Sequence, residues 1–248
     1  MRRAVRYVLA VVGIAAVTAT GSVATTSAAV PTPTDVVSIA PAAGETVGVA
    51  QPVTVTFAAP ITNRSAAEQT VAFTSAATPK GSFTWLNNRV LQWNPDGFWP
   101  AHSPITVSAG GFTTGFQTGA SVVSVADIDA HTFTVSIDGQ VVREMPASMG
   151  KSKFPTPKGT FTALEKQRNV TFDSRTIGIP LSDPEGYLIK GEYGVRVTWG
   201  GVYVHSAPWS VGSQGYANVS HGCINLSPEN AAWYFDTVSL GDPIIVVA

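Results

Sequence analysis

The sequence of 248 residues is poor in charge and in cysteine. Only 12% of its residues are charged, against roughly 25% in an average globular domain, and 44% are hydrophobic. This balance excludes a disordered chain, and the formal net charge of −1 offers no field that would attract a nucleic acid. The single cysteine, Cys223, excludes an intramolecular disulfide and any zinc site built from several cysteines.

The N-terminal apolar run is also short. It extends from Tyr7 to Val17, about 11 residues, whereas roughly 18 are needed to span a bilayer. Three arginines precede it and small residues follow it up to Ala29, so residues 1–29 are predicted to be a secretory signal, with an uncleaved anchor as the alternative. Without them the chain has twelve basic residues against 16 acidic ones, a charge of −4. We expect an exported protein on the cell-wall side of the plasma membrane, secreted or anchored by this segment.

Residues 30–121 read as a series of short strands. Period-two runs such as Val53–Phe57 and Arg89–Trp93 are separated by glycine, proline and asparagine, which is the pattern of an antiparallel sandwich. Residues 65–69 form the only helix-like segment, and no residue of this module suggests chemistry. The sequence therefore predicts a bacterial immunoglobulin-like domain that acts as a spacer.

Residues 122–248 combine strand signals with long loops. Asp138-Gly139 marks a tight hairpin turn, and residues 165–201 are predicted to be a binding loop or lid, because they are rich in glycine and proline and weakly patterned. Ser227 followed by Pro228 predicts the start of a helix, and Pro243–Val247 predicts a buried closing strand.

Cys223 lies in a polar loop, Ser220-His221-Gly222-Cys223-Ile224-Asn225, ahead of the predicted helix. A neighbouring histidine and a helix N-terminus both favour a thiolate, and exported proteins tend to lose cysteines that are neither paired nor used. With His205 at a strand end, the pattern indicates a cysteine nucleophile. A thiol packed in the core is the plainest alternative. A zinc site of His205, His221 and Cys223 is another, although HExxH and Cys-x-x-Cys motifs are absent.

His205, fourteen intervening residues and the string Ser220–Asn225 resemble the signature of the L,D-transpeptidases, which have a YkuD-type catalytic domain. The upstream pieces Ser148-x-Gly150-Lys151 and Thr156-Pro157-x-Gly159 are similar to the second hallmark of that family. The resemblance covers roughly Val122 to Ala248. A mainly β protein is expected, with an immunoglobulin-like β-sandwich at 30–121 and a mostly β YkuD-like catalytic domain with a C-terminal helix at 122–248.

The resemblance implies an acyltransferase that works without a cofactor or metal, as a monomer, in cell-wall biogenesis and cell shape. Its substrates would be peptidoglycan stem peptides, a donor tetrapeptide and the diamino acid side chain of an acceptor, joined by 3→3 cross-links. β-Lactams of the carbapenem class would acylate it. A hydrolase (an L,D-carboxypeptidase) of the same peptides and a non-catalytic wall-binding protein are the alternatives.

The same resemblance assigns roles to residues. Cys223 would attack the bond between the diamino acid at position 3 and D-Ala at position 4, forming a thioester and releasing D-Ala. His205 would act as the base, oriented by the backbone carbonyl of Ser206. The N–H groups of Gly222 and Cys223 would stabilise the oxyanion, with Tyr187 as a further donor. The residues expected to bind substrate are Tyr187, His221, Asn225, Trp209 and Ser220.

Overall fold

A computed structural model describes residues 35–248, so the secretory signal predicted for residues 1–29 lies outside the described residues. The described chain is mostly β and divides near residue 120 into two halves, each built from two sheets. Among the residues described, no helix combines the length and the apolar character that crossing a membrane requires.

The first half is the expected immunoglobulin-like sandwich. Its sheets have the strand orders β1-β3-β6-β5 and β2-β8-β7-β4, with one short helix, α1. Alternate residues of β3 point inward, which buries Val53, Val55 and Phe57 between the sheets. The elements are β1 (Val36–Ala40), β2 (Thr46–Val47), β3 (Val53–Phe57), α1 (Arg64–Glu68), β4 (Ala72–Thr74), β5 (Gly81–Trp85), β6 (Val90–Pro95), β7 (Pro104–Ala109) and β8 (Phe112–Thr118).

The second half is mostly β, as expected, and carries one longer helix near its C-terminus. Its sheets have the strand orders β11-β10-β9-β17-β12 and β13-β14-β15-β16. The strands are β9 (Val122–Asp127), β10 (Thr132–Ile137), β11 (Gln140–Pro146), β12 (Gly159–Thr162), β13 (Glu165–Asp173), β14 (Leu188–Arg196), β15 (Tyr203–Ser206), β16 (Ile224–Leu226) and β17 (Pro243–Val247). The helices are α2 (Pro228–Thr237) and two 3₁₀ segments, Ser174–Ile177 and Pro208–Ser213.

Three turn, helix-cap and strand predictions that rest on short sequence patterns are confirmed. Asp138 and Gly139 form the turn between β10 and β11, and both have positive φ, 49° and 81°. Ser227 caps α2 by accepting a hydrogen bond from the backbone N–H of Asn230, and Pro228 occupies the first turn. The closing strand β17 begins at Pro243, as the sequence predicts.

The prediction of one long loop over residues 165–201 is wrong. Two strands of nine residues each, β13 and β14, pair antiparallel through most of this stretch. Only one residue of β13 is fully buried, Val170, so the strand lacks the clear alternation that a half-buried strand shows. The lid is therefore limited to residues 174–187, between these two strands.

Pairing of β15 with β16 brings the two parts of the sequence signature together. The strands run parallel, and His205 stands opposite Asn225 in their register. The sequence places Ile224 and Asn225 in the polar loop, but both are buried and form β16 together with Leu226. This short strand places the preceding turn, which holds Cys223, beside the end of β15.

The two halves meet at a tight junction. The backbone N–H of Gly48 donates to the carbonyl of Leu240 at 2.8 Å, and that of Ala50 donates to Gly241 at 2.9 Å. A Cβ atom on Gly48 would lie 2.1 Å from the backbone nitrogen of Asp242, so only glycine fits there. Beyond the spacing role that the sequence predicts, the first half makes specific backbone contacts with the second.

Candidate active site

His205 is buried at the C-terminal part of β15, with 3% of its surface exposed. Its Nδ1 lies 2.8 Å from the carbonyl oxygen of Ser206. Because a carbonyl oxygen only accepts, Nδ1 carries the proton and Nε2 keeps a lone pair. Burial lowers the pKa of His205 to about 4, against a smaller opposing effect of the bond to Ser206. The ring is therefore neutral at physiological pH and able to accept a proton.

Cys223 is half-buried in the same cavity. Its Sγ lies 3.7 Å from the carbonyl oxygen of Gly201, and burial raises the pKa of the thiol to about 11. The expectation of a thiolate is wrong, because burial favours the uncharged form of the thiol, and His205 in the same cavity is also uncharged. The helix N-terminus cannot compensate, since β16 separates Cys223 from α2. The resting pair is a neutral thiol and a neutral imidazole.

Hydrogen bonds of two hydroxyl groups stabilise the turn before Cys223. One belongs to Ser220 within the turn and the other to Thr156 of a neighbouring segment. Ser220 Oγ donates to the carbonyl of Cys223 at 2.7 Å and accepts from the N–H of Gly222 at 3.0 Å. Thr156 Oγ1 donates to the carbonyl of Gly222 at 2.9 Å and accepts from the N–H of Gly150. Gly222 has a φ of 118°, which favours glycine.

These bonds correct one expectation. The N–H of Gly222 is bonded to Ser220 and is not free for an oxyanion, whereas no hydrogen bond of the Cys223 N–H is found within residues 35–248. The Ser220 hydroxyl positions Cys223 through two bonds inside the turn, and Ser220 also lines the cavity, so its predicted contact with substrate stays a prediction. Thr156 connects the second hallmark with the turn before Cys223, because its hydroxyl bonds to Gly222 and to Gly150. Its position in the second hallmark did not by itself predict these partners.

The cavity has a volume of about 360 Å³ and is closed on one side by the lid. Tyr187, at the end of the lid, lies over His221 with ring centroids 5.0 Å apart. Burial, followed by electrostatic interaction with Cys223 and Asp173, raises the pKa of Tyr187 above its ordinary value. Its hydroxyl is thus a proton-bearing donor at the cavity wall.

Trp209 and Asn225 form the opposite wall. Trp209 is half-exposed, and its ring centroid lies 5.9 Å from that of His205. Asn225 Nδ2 donates to Ser210 Oγ at 3.1 Å, while its buried Oδ1 has no hydrogen-bond partner in the structure.

Glu185 lies in the lid, and no sequence pattern pointed to it. Its Oε2 accepts from His221 Nε2 at 2.8 Å and from Lys151 Nζ at 2.5 Å. His221 therefore contacts the lid on its edge, while its ring packs against Phe154 at 4.7 Å. An acidic residue in a glycine- and proline-rich loop has no distinguishing pattern, and only the fold brings it to the signature.

The residues that the zinc alternative would use are not arranged as ligands. Within the described chain, no three histidine, cysteine, aspartate or glutamate side chains lie close enough to share a metal ion. His205 Nδ1 and His221 Nε2 are each bonded to a protein oxygen.

Comparison with protein families gives two matches. The L,D-transpeptidase catalytic domain (YkuD) matches residues 121–246, and the bacterial Ig domain (Big_10) matches residues 2–111. The first match contains His205, Cys223 and every other residue of the cavity described above.

Comparison with individual proteins gives the same family. L,D-transpeptidase 1 of Mycobacterium tuberculosis is 54% identical over 250 residues, covering 100% of both chains. A solved L,D-transpeptidase from Mycobacterium smegmatis shares 68% identity with a TM-score of 0.85, covering 88% of this chain and 100% of its own. LD transpeptidase LdtMt1, solved in complex with imipenem, shares 56% identity with a TM-score of 0.83, covering 86% of this chain and 99% of its own.

Proposed function

The chain belongs to the L,D-transpeptidase family, and from this premise we propose that it joins peptidoglycan stem peptides by 3→3 cross-links through a thioester on Cys223. The observation that carries the proposal is the state of His205. Nδ1 of His205 carries the ring proton and donates it to the Ser206 carbonyl, so Nε2 has a free lone pair. His205 also lines the same cavity as Cys223.

In the first step, Cys223 Sγ attacks the carbonyl carbon of the diamino acid at position 3 of the donor. Because the thiol is neutral at rest, its proton must move to His205 Nε2 as the new C–S bond forms. The C–N bond to D-Ala then breaks, and the same proton passes to the leaving amine. Free D-Ala and a thioester result.

In the second step, the side-chain amine of an acceptor stem attacks the thioester. His205 takes a proton from that amine, the C–S bond breaks, and the proton returns to Cys223. The N–H of Cys223 and the hydroxyl of Tyr187 stabilise the oxyanion in both steps. A donor of this kind, once removed, costs about 3 kcal/mol of transition-state stabilisation.

The proposal includes the place of action and an inhibitor class. The stem peptides lie outside the plasma membrane, so residues 1–29 act as an export signal, cleaved or kept as an anchor. Carbapenems acylate Cys223 in the same way as the donor, and the imipenem complex of LdtMt1 supports this extension.

Product analysis tests the proposed reaction. The protein without residues 1–29 is incubated with a donor tetrapeptide stem and an acceptor stem, and the products are separated and weighed by mass spectrometry. We expect cross-linked dimers and free D-Ala. Free tripeptide without dimers would instead identify a hydrolase, because water would have replaced the acceptor amine. Unchanged tetrapeptide in the presence of a folded protein would refute the proposed function.

A further inference from the structure

The carboxylate of Glu185 lies among basic groups of two other segments. Lys151 Nζ lies 2.5 Å and Lys153 Nζ 3.9 Å from its oxygens, and His221 Nε2 shares the oxygen that Lys151 contacts. Two ammonium groups and an imidazole therefore converge on one carboxylate. Glu185, His221 and Cys223 all line the same cavity.

The basic groups stand on a rigid part of the molecule. The N–H of Lys151 donates to the carbonyl of Ser220 at 3.1 Å, and a Cβ on Gly150 would lie 2.2 Å from the carbonyl oxygen of Phe154. The ammonium groups of Lys151 and Lys153 lie 5.5 and 5.2 Å from the Phe154 ring centroid. Backbone bonds and close packing thus fix this basic group of residues independently of the lid.

The acidic partner stands on the lid, which is held differently. The backbone N–H of Glu185 donates to Asp183 Oδ1, and that of Gly186 donates to the Asp183 carbonyl, so the lid tip is a local turn. In the described structure, Glu185 is the only residue of 178–187 whose polar atoms bond beyond residues 173–187. If the lid moves away to admit a peptide, this polar contact has to break, together with the ring contact between Tyr187 and His221.

Loss of that contact leaves Lys151, Lys153 and His221 without an anion. A charged group in a half-buried cavity is stabilised by an opposite charge, and an incoming carboxylate supplies one. The donor peptide carries such a group close to the reacting bond, because only the amide nitrogen and one carbon of D-Ala separate the attacked carbonyl from the terminal carboxylate. His221 is likewise only two residues from Cys223.

We propose that Lys151 and His221 form a subsite for the C-terminal carboxylate of the donor peptide, and that Glu185 occupies this subsite while the lid is closed. The inference rests on the proposed function for the identity of the donor. Hydrogen bonds from Lys151 and then from His221 lower the pKa of Glu185, despite an opposing effect of burial, so it competes as a charged group at neutral pH. Glu185 is thus a positioning residue that keeps the lid closed over the subsite until a peptide enters, and Lys151 and His221 supply the preference for a free terminal carboxylate.

The test uses two donor tetrapeptides that differ only at the C-terminus, D-Ala with a free carboxylate or D-Ala amide. Calorimetry measures Kd for both in a Cys223→Ala background, where neither is consumed. Glu185→Gln removes the competing charge and Lys151→Gln removes a partner of the subsite. Glu192→Gln is the matched control, because Glu192 lies on β14 in an exposed ion pair with Arg168 and does not line the cavity.

We expect the carboxylate peptide to bind more tightly than the amide. Glu185→Gln should tighten both peptides about tenfold, because the contact of Glu185 with Lys151 and His221 has to break for either peptide to enter. Lys151→Gln should reduce the preference for the carboxylate peptide over the amide about tenfold, as expected for one charged hydrogen bond. A preference that Lys151→Gln leaves unchanged, or a Glu185→Gln variant that binds neither peptide more tightly, would overturn the proposal. Equal binding of the two peptides by the unmodified subsite would overturn it as well.

Turnover of the same two peptides by the protein with Cys223 intact separates this inference from the proposed function. Carboxylate-selective binding without D-Ala release would support the subsite and refute the reaction. Release of D-Ala from one peptide and of D-Ala amide from the other, at equal KM, would support the reaction and refute the subsite.

Discussion

The two halves of the described chain bury different kinds of side chain. Of twelve buried polar or charged residues, only Thr118 precedes residue 122. The core of the first half is built on aromatic rings, among them Trp93 and Trp99 with centroids 5.0 Å apart, whereas the second half buries Met145, Met149 and many smaller aliphatic groups. The indole N–H groups of the first half are bonded where they need partners, as Trp99 Nε1 is to the carbonyl of Gln51, so this half buries almost no other polar groups.

The second half buries polar side chains because they form hydrogen bonds with the backbone of its loops. Thr156, Ser148 and Ser220 bond to backbone atoms of the turn that holds Cys223 or of the loop before it. A buried polar group lowers stability unless it is bonded, and these are bonded. The comparison shows that burial serves stability in one half and the placement of a reactive thiol in the other.

The largest expected effect concerns the chemistry of the second half. Cys223→Ser should abolish the covalent imipenem adduct, because a serine hydroxyl has a far higher pKa and is a weaker nucleophile than a thiol. His205→Ala should slow acylation by about 10² to 10⁴, since the neutral thiol needs a base to take its proton. Intact-protein mass spectrometry over time measures both, with circular dichroism as the folding control.

Two outcomes would contradict this prediction. An adduct that forms on Cys223→Ser would place the nucleophile elsewhere. Loss of activity on adding a chelator, without any imipenem adduct on the unmodified protein, would favour the zinc alternative.

A pair of core substitutions sharpens the comparison of stability. Phe116 lies in the first core and Phe133 in the second, and both are fully buried. Each change to alanine should lower the free energy of unfolding by about 3–5 kcal/mol. Because the junction couples the halves, we expect both variants to shift a single transition in urea unfolding. Two transitions, each moved by only one variant, would show that the halves unfold independently.

The sequence predicted the elements whose causes are local. Asp138-Gly139 forms its turn through positive φ, Ser227 caps α2 through its own hydroxyl, and alternation along β3 indicates a half-buried strand. The hairpin of β13 and β14 escaped prediction because most of its residues are only partly buried and do not alternate.

The site shows the same division. The sequence motif identifies His205 and Cys223. Their protonation states, however, depend on how deeply the fold buries them. The prediction of a thiolate was wrong because burial favours the neutral thiol. Glu185 and the bond between Gly222 and Ser220 depend on contacts between distant segments, which no local pattern encodes.

A smaller effect is expected at the junction between the halves. Gly48→Ala should lower the free energy of unfolding by about 3 kcal/mol, the upper end of the usual range for overpacking, because the added methyl would meet the backbone of Asp242. Gly97→Ala is the matched control, since nothing lies within 4 Å of its added methyl. Urea unfolding of both variants gives the comparison. Equal stability of the two variants would show that the backbone at the junction shifts to accommodate the added methyl at no measurable cost.

The smallest effect concerns Asp242, whose carboxylate is buried at the same junction with 1% of the residue exposed. Burial raises its pKa to about 7 from an ordinary value of 3.8, although hydrogen bonds from the backbones of Ser239 and Val49 act in the opposite direction. Between these two values the folded protein binds a proton that the unfolded chain has lost. Its contribution to stability therefore falls as pH rises from about 4 to about 7, and is constant above.

Asp242→Asn isolates this contribution, because asparagine has a similar shape and does not titrate. The neutral, buried His205 opposes the trend in both proteins, since its lowered pKa destabilises the fold as pH falls below its ordinary 6.5, and it cancels in their difference. The free energy of unfolding of the variant minus that of the unmodified protein should rise between pH 5 and 7 by at most about 1.4 kcal/mol per pH unit, then level off. Urea unfolding at half-unit intervals from pH 5 to 8 measures it. A constant difference would mean that Asp242 is ionised throughout, held by Lys166 and the backbone of the first half, and that the junction is insensitive to pH.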